Sequence, residues 1–514
     1  MAASQSKIIT KLLERRQIEA DLRRMATATS ELEFRREAQQ IAAAGSQVIP
    51  TIVANLDEAD ARLLTAMGVV STFLDREKVI QALRQAVLRS RLDDRGRVGA
   101  ITILERFLGQ APDDLLLESL GDPKGAAIAS LEEILGRSKE EPAVLVEYVE
   151  GLDRQEPEVV LAVVQALQGM AALEEASEAA GRVVEPLRMM AQDVRAEIAE
   201  AALRALGGID RSEAVAALQT LIPISMPELE PLAKRLLRKQ RFRGVQVPSL
   251  PLPRPGWRAL ASPPNGHGQQ SLWFILGEGG AIQVRFLNVL LHDRAGAVEA
   301  VGHEQVLIQM LVPERPVGHV HDVALPDGSG ALLMLEIPFD LGRRLVLDAL
   351  ADNRETQIPV AGPLRLLSPW LWGVGGAEAL PERQLPRGEV PADAEGESVR
   401  LLAHPAFGQW TLRSESMLRA AEAVRHHPAG DLEVSVWRLA AELFSNPEVA
   451  KIFGRRLTAM SEWLLLSGDE AASRLALAAA RGVERSAVNH SFVEALIRRD
   501  LEWLLRGLGS NRPG

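Results

Sequence analysis

The chain is predicted to be mainly helical and to fold in three parts: an N-terminal array of repeated helices, a central small α+β domain and a C-terminal helical bundle. Three observations carry this. Helix ends marked by a residue-glycine step recur at Gly68, Gly109, Gly136, Gly169 and Gly207, at intervals of 41, 27, 33 and 38 residues. The hydrophobic period then shortens from helical to alternating at SLWFIL, Ser271–Leu276. From Thr411 the helical period returns and holds to Leu508. At 514 residues, about three domains are expected.

In order, Lys7–Ala44 reads as one long charged helix within a first segment, residues 1–45. Its apolar members are Ile8, Ile9, Leu12, Leu13, Leu22, Met25 and Leu32. Arginine doublets at Arg15-Arg16, Arg23-Arg24 and Arg35-Arg36 spread around the helix instead of forming one stripe. That spread favours a solvated capping helix over a nucleic-acid-binding arm.

Residues 46–243 form the array. Its sharpest copy is Asp193–Ile209, DVRAEIAEAALRALGGI, with Asp193 as the expected N-cap and Gly207 as a left-handed C-cap. Looser copies are Asp94–Gly109, Asp122–Gly136 and Glu156–Gly169, and Lys78–Arg89, Pro142–Leu152 and Val183–Met190 are partner helices. Pro50, Pro142, Pro186 and Pro231 stand near helix starts, where a missing N–H is harmless. This pattern of Asp193-Val194-Arg195, small residues Ala201-Ala202, then Leu206-Gly207 resembles the HEAT-repeat family over roughly residues 46–243. Asp94, Arg95, Val98 and Gly109 match in part, and Glu156 stands where another copy has aspartate. The resemblance implies a solenoid of antiparallel helix pairs and a role in binding macromolecules. It brings no catalytic residue with it.

The array ends on a basic cluster, residues 234–243, with Lys234, Arg235, Arg238, Lys239, Arg241 and Arg243. A Pro-rich linker, residues 244–256, follows. The α+β domain spans residues 257–372. In it, Ser271–Leu276 and Ala281–His292 form a hairpin around Gly277–Gly280. Gln305–Val312, Val317–Leu325 and Ala331–Ile337 supply further strands, with a turn at Pro326–Gly330, and Asp340–Asn353 is a helix capped by Asp340. Residues 373–410 read as a Gly-, Pro- and acid-rich loop. Residues 411–508 hold helices at Ser414–Arg425, Val434–Phe444, Pro447–Leu466, Glu470–Gly482 and Ser491–Leu505. Trp437, Trp463, Phe492 and Trp503 are expected in their core.

Composition excludes several chemistries. With no cysteine there are no disulfides, thiol nucleophiles, iron–sulfur clusters or Cys-ligated zinc. A net charge of -11 argues against a protein that coats nucleic acid or anionic membrane. No signal-peptide pattern opens the sequence and no apolar run is long enough to span a bilayer, so a cytoplasmic protein without membrane insertion is expected. Arginine exceeds lysine and alanine is abundant, which points to a GC-rich, bacterial genome.

One stretch invites a metal reading. In GHVHD, Gly318–Asp322, a strand would present His319 and His321 on one face with Asp322 beside them, and His292-Asp293 and His303-Glu304 could add ligands. Two histidines without a recognisable third ligand are a weak signal, so no metal and no cofactor is assigned. Gly373-Val374-Gly375-Gly376 lacks the strand-to-helix context of a dinucleotide loop, and no GxxxxGK[ST], GxSxG or HExxH occurs. Asn489-His490-Ser491 is a sequon without meaning in a cytosolic chain.

The function expected is therefore non-catalytic: a scaffold or adaptor binding another macromolecule, preferably protein, with Arg97, Gln165, Gln168 and Arg195 as contact candidates. An enzyme or small-ligand-binding protein with its site in the central domain is the alternative. Nucleic-acid binding through the basic cluster ranks third.

Overall fold

The computed structural model describes residues 15–28, 30–88, 92–110, 116, 123–173, 181–247, 249–278, 280–324, 331–387, 394–412, 414–426 and 432–510. The start of the Lys7 helix, Asp122, the turn Pro326–Gly330 and residues 388–393 of the acidic loop lie outside them. The protein is mainly helical around a central six-stranded antiparallel sheet. It divides into two compact units, Met1–Val144 and Leu145–Gly514.

In the first unit, helical turns over residues 15–25 (α1) stop before Ser30, and a second helix, Glu31–Ala42 (α2), follows. The expected single helix is thus broken. It is also more than a solvated cap, because Leu22, Met25, Ala38 and Ile41 lie in the core. Next come Ile49–Asn55 (α3), Ala61–Thr72 (α4), Arg76–Leu88 (α5), Asp94–Thr102 (α6) and Pro123–Arg137 (α7). Helix α6 widens into a π turn at Ile103–Phe107. Helices pack on a neighbour but one, α2 on α4, α3 on α5 and the π turn on α4, and also on the next in sequence, α5 on α6 and α6 on α7. Asp93, not Asp94, caps α6, accepting from Gly96 N at 2.7 Å.

The second unit opens with Ala143–Leu152 (α8), Pro157–Leu173 (α9), Val184–Met190 (α10), Ala196–Leu206 (α11), Ser212–Leu221 (α12) and Glu230–Phe242 (α13). The same alternation holds, with α9 against α11, α11 against α13, and α10 against α12. Glycine has a different role here from the one the sequence suggests. Gly207 closes α11 in right-handed geometry (φ −67°). What requires glycine there is packing, since a Cβ would stand 2.5 Å from Leu236 Cδ2. Gly68, Gly136 and Gly169 lie inside helices, and of the five marker glycines only Gly109 adopts a left-handed φ (+60°).

The sheet runs β4-β3-β2-β1-β6-β5. Its strands are Arg258–Ala261 (β1), Gln269–Leu276 (β2), Gln283–His292 (β3), Gly296–Leu307 (β4), Val320–Ala324 (β5) and Ala331–Ile337 (β6). The hairpin β2–β3 forms where the alternation indicated. Strand β4 lies N-terminal to the expected Gln305–Val312, whose later residues leave the sheet in a 3-10 turn at Ile308–Met310. Phe339–Thr356 (α14) covers one face of the sheet, seated so closely that a Cβ on Gly342 would meet Ala259 and Phe274 at 2.9 Å. Asp340 lies in its first turn; the residue before the helix is Pro338. Short helices Gly362–Leu367 (α15), Pro369–Trp372 (α16) and Ala394–Glu397 (α17) follow. Then come Glu415–His426 (α18), Leu432–Leu443 (α19), Pro447–Leu466 (α20), Glu470–Ser486 (α21) and Ser491–Ser510 (α22). Trp463 and Phe492 are buried, as expected of core residues, but Trp437 and Trp503 are 57% and 53% exposed. No helix among the described residues is long and apolar enough to cross a membrane.

Candidate interaction surface

A helix ends with carbonyls that have no partner inside it. Here carbonyls at several helix ends, or in the loops just past them, are met by side chains 31 to 43 residues further along the chain. Arg195 donates from Nη1 to Gln155 O (2.8 Å, 40 residues apart) and from Nη2 to Leu152 O (3.3 Å, 43 apart). Gln240 donates to Gly207 O and Ile209 O, both at 3.0 Å and 33 and 31 residues away. In the first unit Arg95 Nη2 reaches Ala59 O at 3.1 Å, 36 residues away. Asp193 holds Arg195 for this work: it accepts Arg195 N at 2.8 Å, Nε at 3.0 Å and Nη2 at 2.8 Å. The bonded carboxylate raises the Arg195 pKa further. Asp193 is thus a brace ahead of α11, and the residue before the helix is Arg195.

This reassigns two of the four contact candidates. Arg195 is an internal staple, and Arg97 is mostly buried with its Nη1 on Asp94 at 3.0 Å. Gln165 and Gln168 of α9 remain exposed. One side of the stack is occupied by the chain itself. Helix α10 packs on α15 and α12 on α16. Buried Arg188 donates to Arg365 O (2.8 Å), Leu366 O (2.7 Å) and Ser368 Oγ (2.5 Å). Arg365, fully buried, forks onto both oxygens of Asp153 at 3.0 Å. Burial raises the Asp153 pKa while the guanidinium opposes it. The side left open belongs to α9, α11 and α13, where Gln165, Gln168, Arg204 and the basic cluster face solvent.

The GHVHD histidines do share a face, as strand alternation requires, with ring centroids 4.7 Å apart. His321 is buried and its Nε2 lies 3.0 Å from Glu336 Oε1, an oxygen already bonded by Arg258. Arg258 also donates to Pro313 O at 3.0 Å and to Val312 O. The cluster ties the segment after β4 onto the sheet face opposite α14. The suggested further ligands are elsewhere. His303 and Glu304 are on β4 and His321 on β5, the two outer strands, about 24 Å apart by strand spacing. Asp293 is taken by Arg456 at 2.6 and 3.1 Å, and His292 Nδ1 accepts Arg294 N at 3.1 Å. Among the described residues no group of three or more His, Asp or Glu is placed to hold a metal ion.

In the second unit an open cleft of about 520 Å³ lies between the Pro-rich stretch, the β2–β3 turn and residues 369–374. Arg254, Glu278, Arg285 and Glu304 line it beside Trp257. Arg254 pairs with Glu278, and Arg285 lies over the Trp370 ring at 5.4 Å. Of the carboxylates in its lining, Glu278 is engaged by Arg254, and Glu304 stands on β4. No protein-family model, no curated protein and no solved structure matches the chain.

Proposed function

We propose that the protein is a non-catalytic cytoplasmic adaptor that binds another macromolecule, preferably protein, through a HEAT-like solenoid over residues 46–243. In this reading the central α+β domain and the C-terminal helical bundle back the solenoid. Two features support the solenoid: helices that pack both on the next helix and on the next but one, and side-chain-to-carbonyl bonds recurring 31 to 43 residues apart. The observation that carries the binding role is the unequal fate of the stack's two sides. Helices α10 and α12 are covered by α15 and α16, while α9, α11 and α13 present polar residues that no core contact fixes. Affinity purification of the full chain from its native cell, against a Gln165→Glu, Gln168→Glu, Arg204→Glu variant, tests this. A partner lost by the variant at unchanged circular dichroism supports it; full retention, or no partner, overturns it.

A second reading, small-ligand binding in the central domain, is favoured by the charged cleft around Arg254 and Arg285. A small molecule retained by the native protein and released by Arg285→Ala would move the assignment there.

A further inference from the structure

The last helix of the stack, α13, carries a face that no other described residue covers. Leu232, Ala233, Leu236 and Gln240 are buried, and the Gln240 bonds to Gly207 O and Ile209 O fix the helix's rotation. At about 100° per residue, Arg235, Arg238, Lys239 and Phe242 then fall within an arc of about 100°, bordered on one side by Leu232 of the buried face and on the other by Lys234 and Arg241. Phe242 is 91% exposed, central in angle but at the C-terminal end of this basic stripe. Lys234 is bound to Glu230 at 2.5 Å, and Arg243, beyond the stripe, to Asp210 at 2.7 Å. Arg235, Arg238, Lys239 and Arg241 make no side-chain hydrogen bond or ion pair among the described residues.

Helix-end electrostatics account for only part of this. Cations are favoured in a last turn, which covers Lys239 and Arg241. Arg235 and Arg238 lie further back, and the dipole gives no reason to expose a phenylalanine. A rigid helix presenting unpaired cations around one aromatic ring is already organised for a partner, so little ordering is lost on binding.

Resting on the adaptor reading, we infer that this stripe docks an acidic protein segment whose carboxylates flank one large apolar side chain. From Arg235 to Phe242 the helix rises about 10 Å. That length suits about two turns of a partner helix. Against duplex DNA it spans about three phosphates of one strand, where duplex-binding proteins make roughly six to ten contacts. The chain's net charge of -11 also repels a polyanion at long range, whereas a short acidic segment feels mainly the local cations.

The test is a titration of the full-length protein with a fluorescent peptide of glutamates around a central leucine. Parallel titrations use its serine counterpart, single-stranded oligothymidylate, and phosphatidylcholine vesicles containing phosphatidylserine. The leucine peptide should bind best and weaken severalfold as salt rises past the screening range. Arg235→Glu with Arg238→Glu should weaken it about tenfold or more. Phe242→Ser should bring the leucine peptide down to the serine peptide without changing the salt dependence. Both variants alter exposed side chains, so the thermal transition should stay in place; should the double variant unfold, Arg235→Gln with Arg238→Gln replaces it. Tighter binding of oligothymidylate or vesicles, equal binding by the variants, or no peptide binding overturns the inference. If partners captured through the α9 and α11 face survive the Arg235 and Arg238 changes, the stripe assignment falls and the adaptor reading stands.

Discussion

Helices α9–α13 and helices α18–α22 hold together by different means. The first group is joined helix to helix, α9 to α11, α10 to α11 and α12, and α12 to α13. Its helices bury small and branched residues such as Val164, Ala202 and Leu218; the carbonyls after α11 are met by Gln240 of α13, and those at the end of the preceding α8 by Arg195 ahead of α11. The second group closes over a set of rings. Trp410 packs on Phe407, Phe453 and Phe492 with centroids 5.1, 5.3 and 5.9 Å apart, and Phe444 joins through Phe453 at 5.3 Å. The first group leaves one side uncovered, while the second turns these rings inward and leaves Trp437 and Trp503 outside the cluster. Under the adaptor proposal, that contrast favours the first group as the docking face.

The largest effect should come from the ring cluster. Trp410→Ala is expected to cost about 3–5 kcal/mol in urea unfolding, because the ring is fully buried and its Nε1 donates to Pro264 O at 2.8 Å. Amide exchange should quicken through all of α18–α22; quickening limited to residues beside Trp410 would break the contrast. Comparable in size, Arg365→Met should cost about 3–5 kcal/mol by leaving Asp153 buried without its cation. Adding Asp153→Leu should recover most of the loss, and no recovery would mean the fork is not the cause.

Within the stack, Gln240→Leu should cost about 1–3 kcal/mol, since Gly207 O and Ile209 O lose their donor. Its exchange effect should stay within α11–α13, because stacked units touch only their neighbours. A smaller effect concerns Asp352, half-buried and pushed up to about 6 by desolvation. Its folded pKa lies above the unfolded value, so stability falls as pH rises from about 4 to 6 and is level beyond. Asp352→Asn should therefore stabilise at pH 8 and do nothing near pH 4; an equal effect at both would point away from the carboxylate charge. Least of all, Trp437→Ser should change stability by under about 0.5 kcal/mol, as fits an exposed ring.

Legibility in the sequence followed the range of the interaction. Pro447–Leu466 was readable to the residue, because Asn446 caps it through Glu448 N at 2.9 Å and Pro447 sets its first φ. The β2–β3 hairpin was readable from alternation. Strand β4 was not, since GAVEAVGHE has weak strand character of its own and pairs because β3 offers it a ladder. Trp437 and Trp503 follow helical spacing as Trp463 does, but which side of a helix is covered depends on what packs there. The candidate surface was half legible: the basic cluster stood out, yet Arg195 looked like a contact and Gln240 like any polar residue.

The sequence by itself determined where most helices begin, the repeat spacing, the missing cysteine chemistry and the concentration of cations near residue 240, for these depend on neighbouring residues and on composition. Tertiary structure decided which glycines are needed for close approach, which arginines are internal staples, and that His319 and His303 never meet. Those outcomes turn on contacts between residues tens to hundreds of positions apart, fixed only when the elements pack.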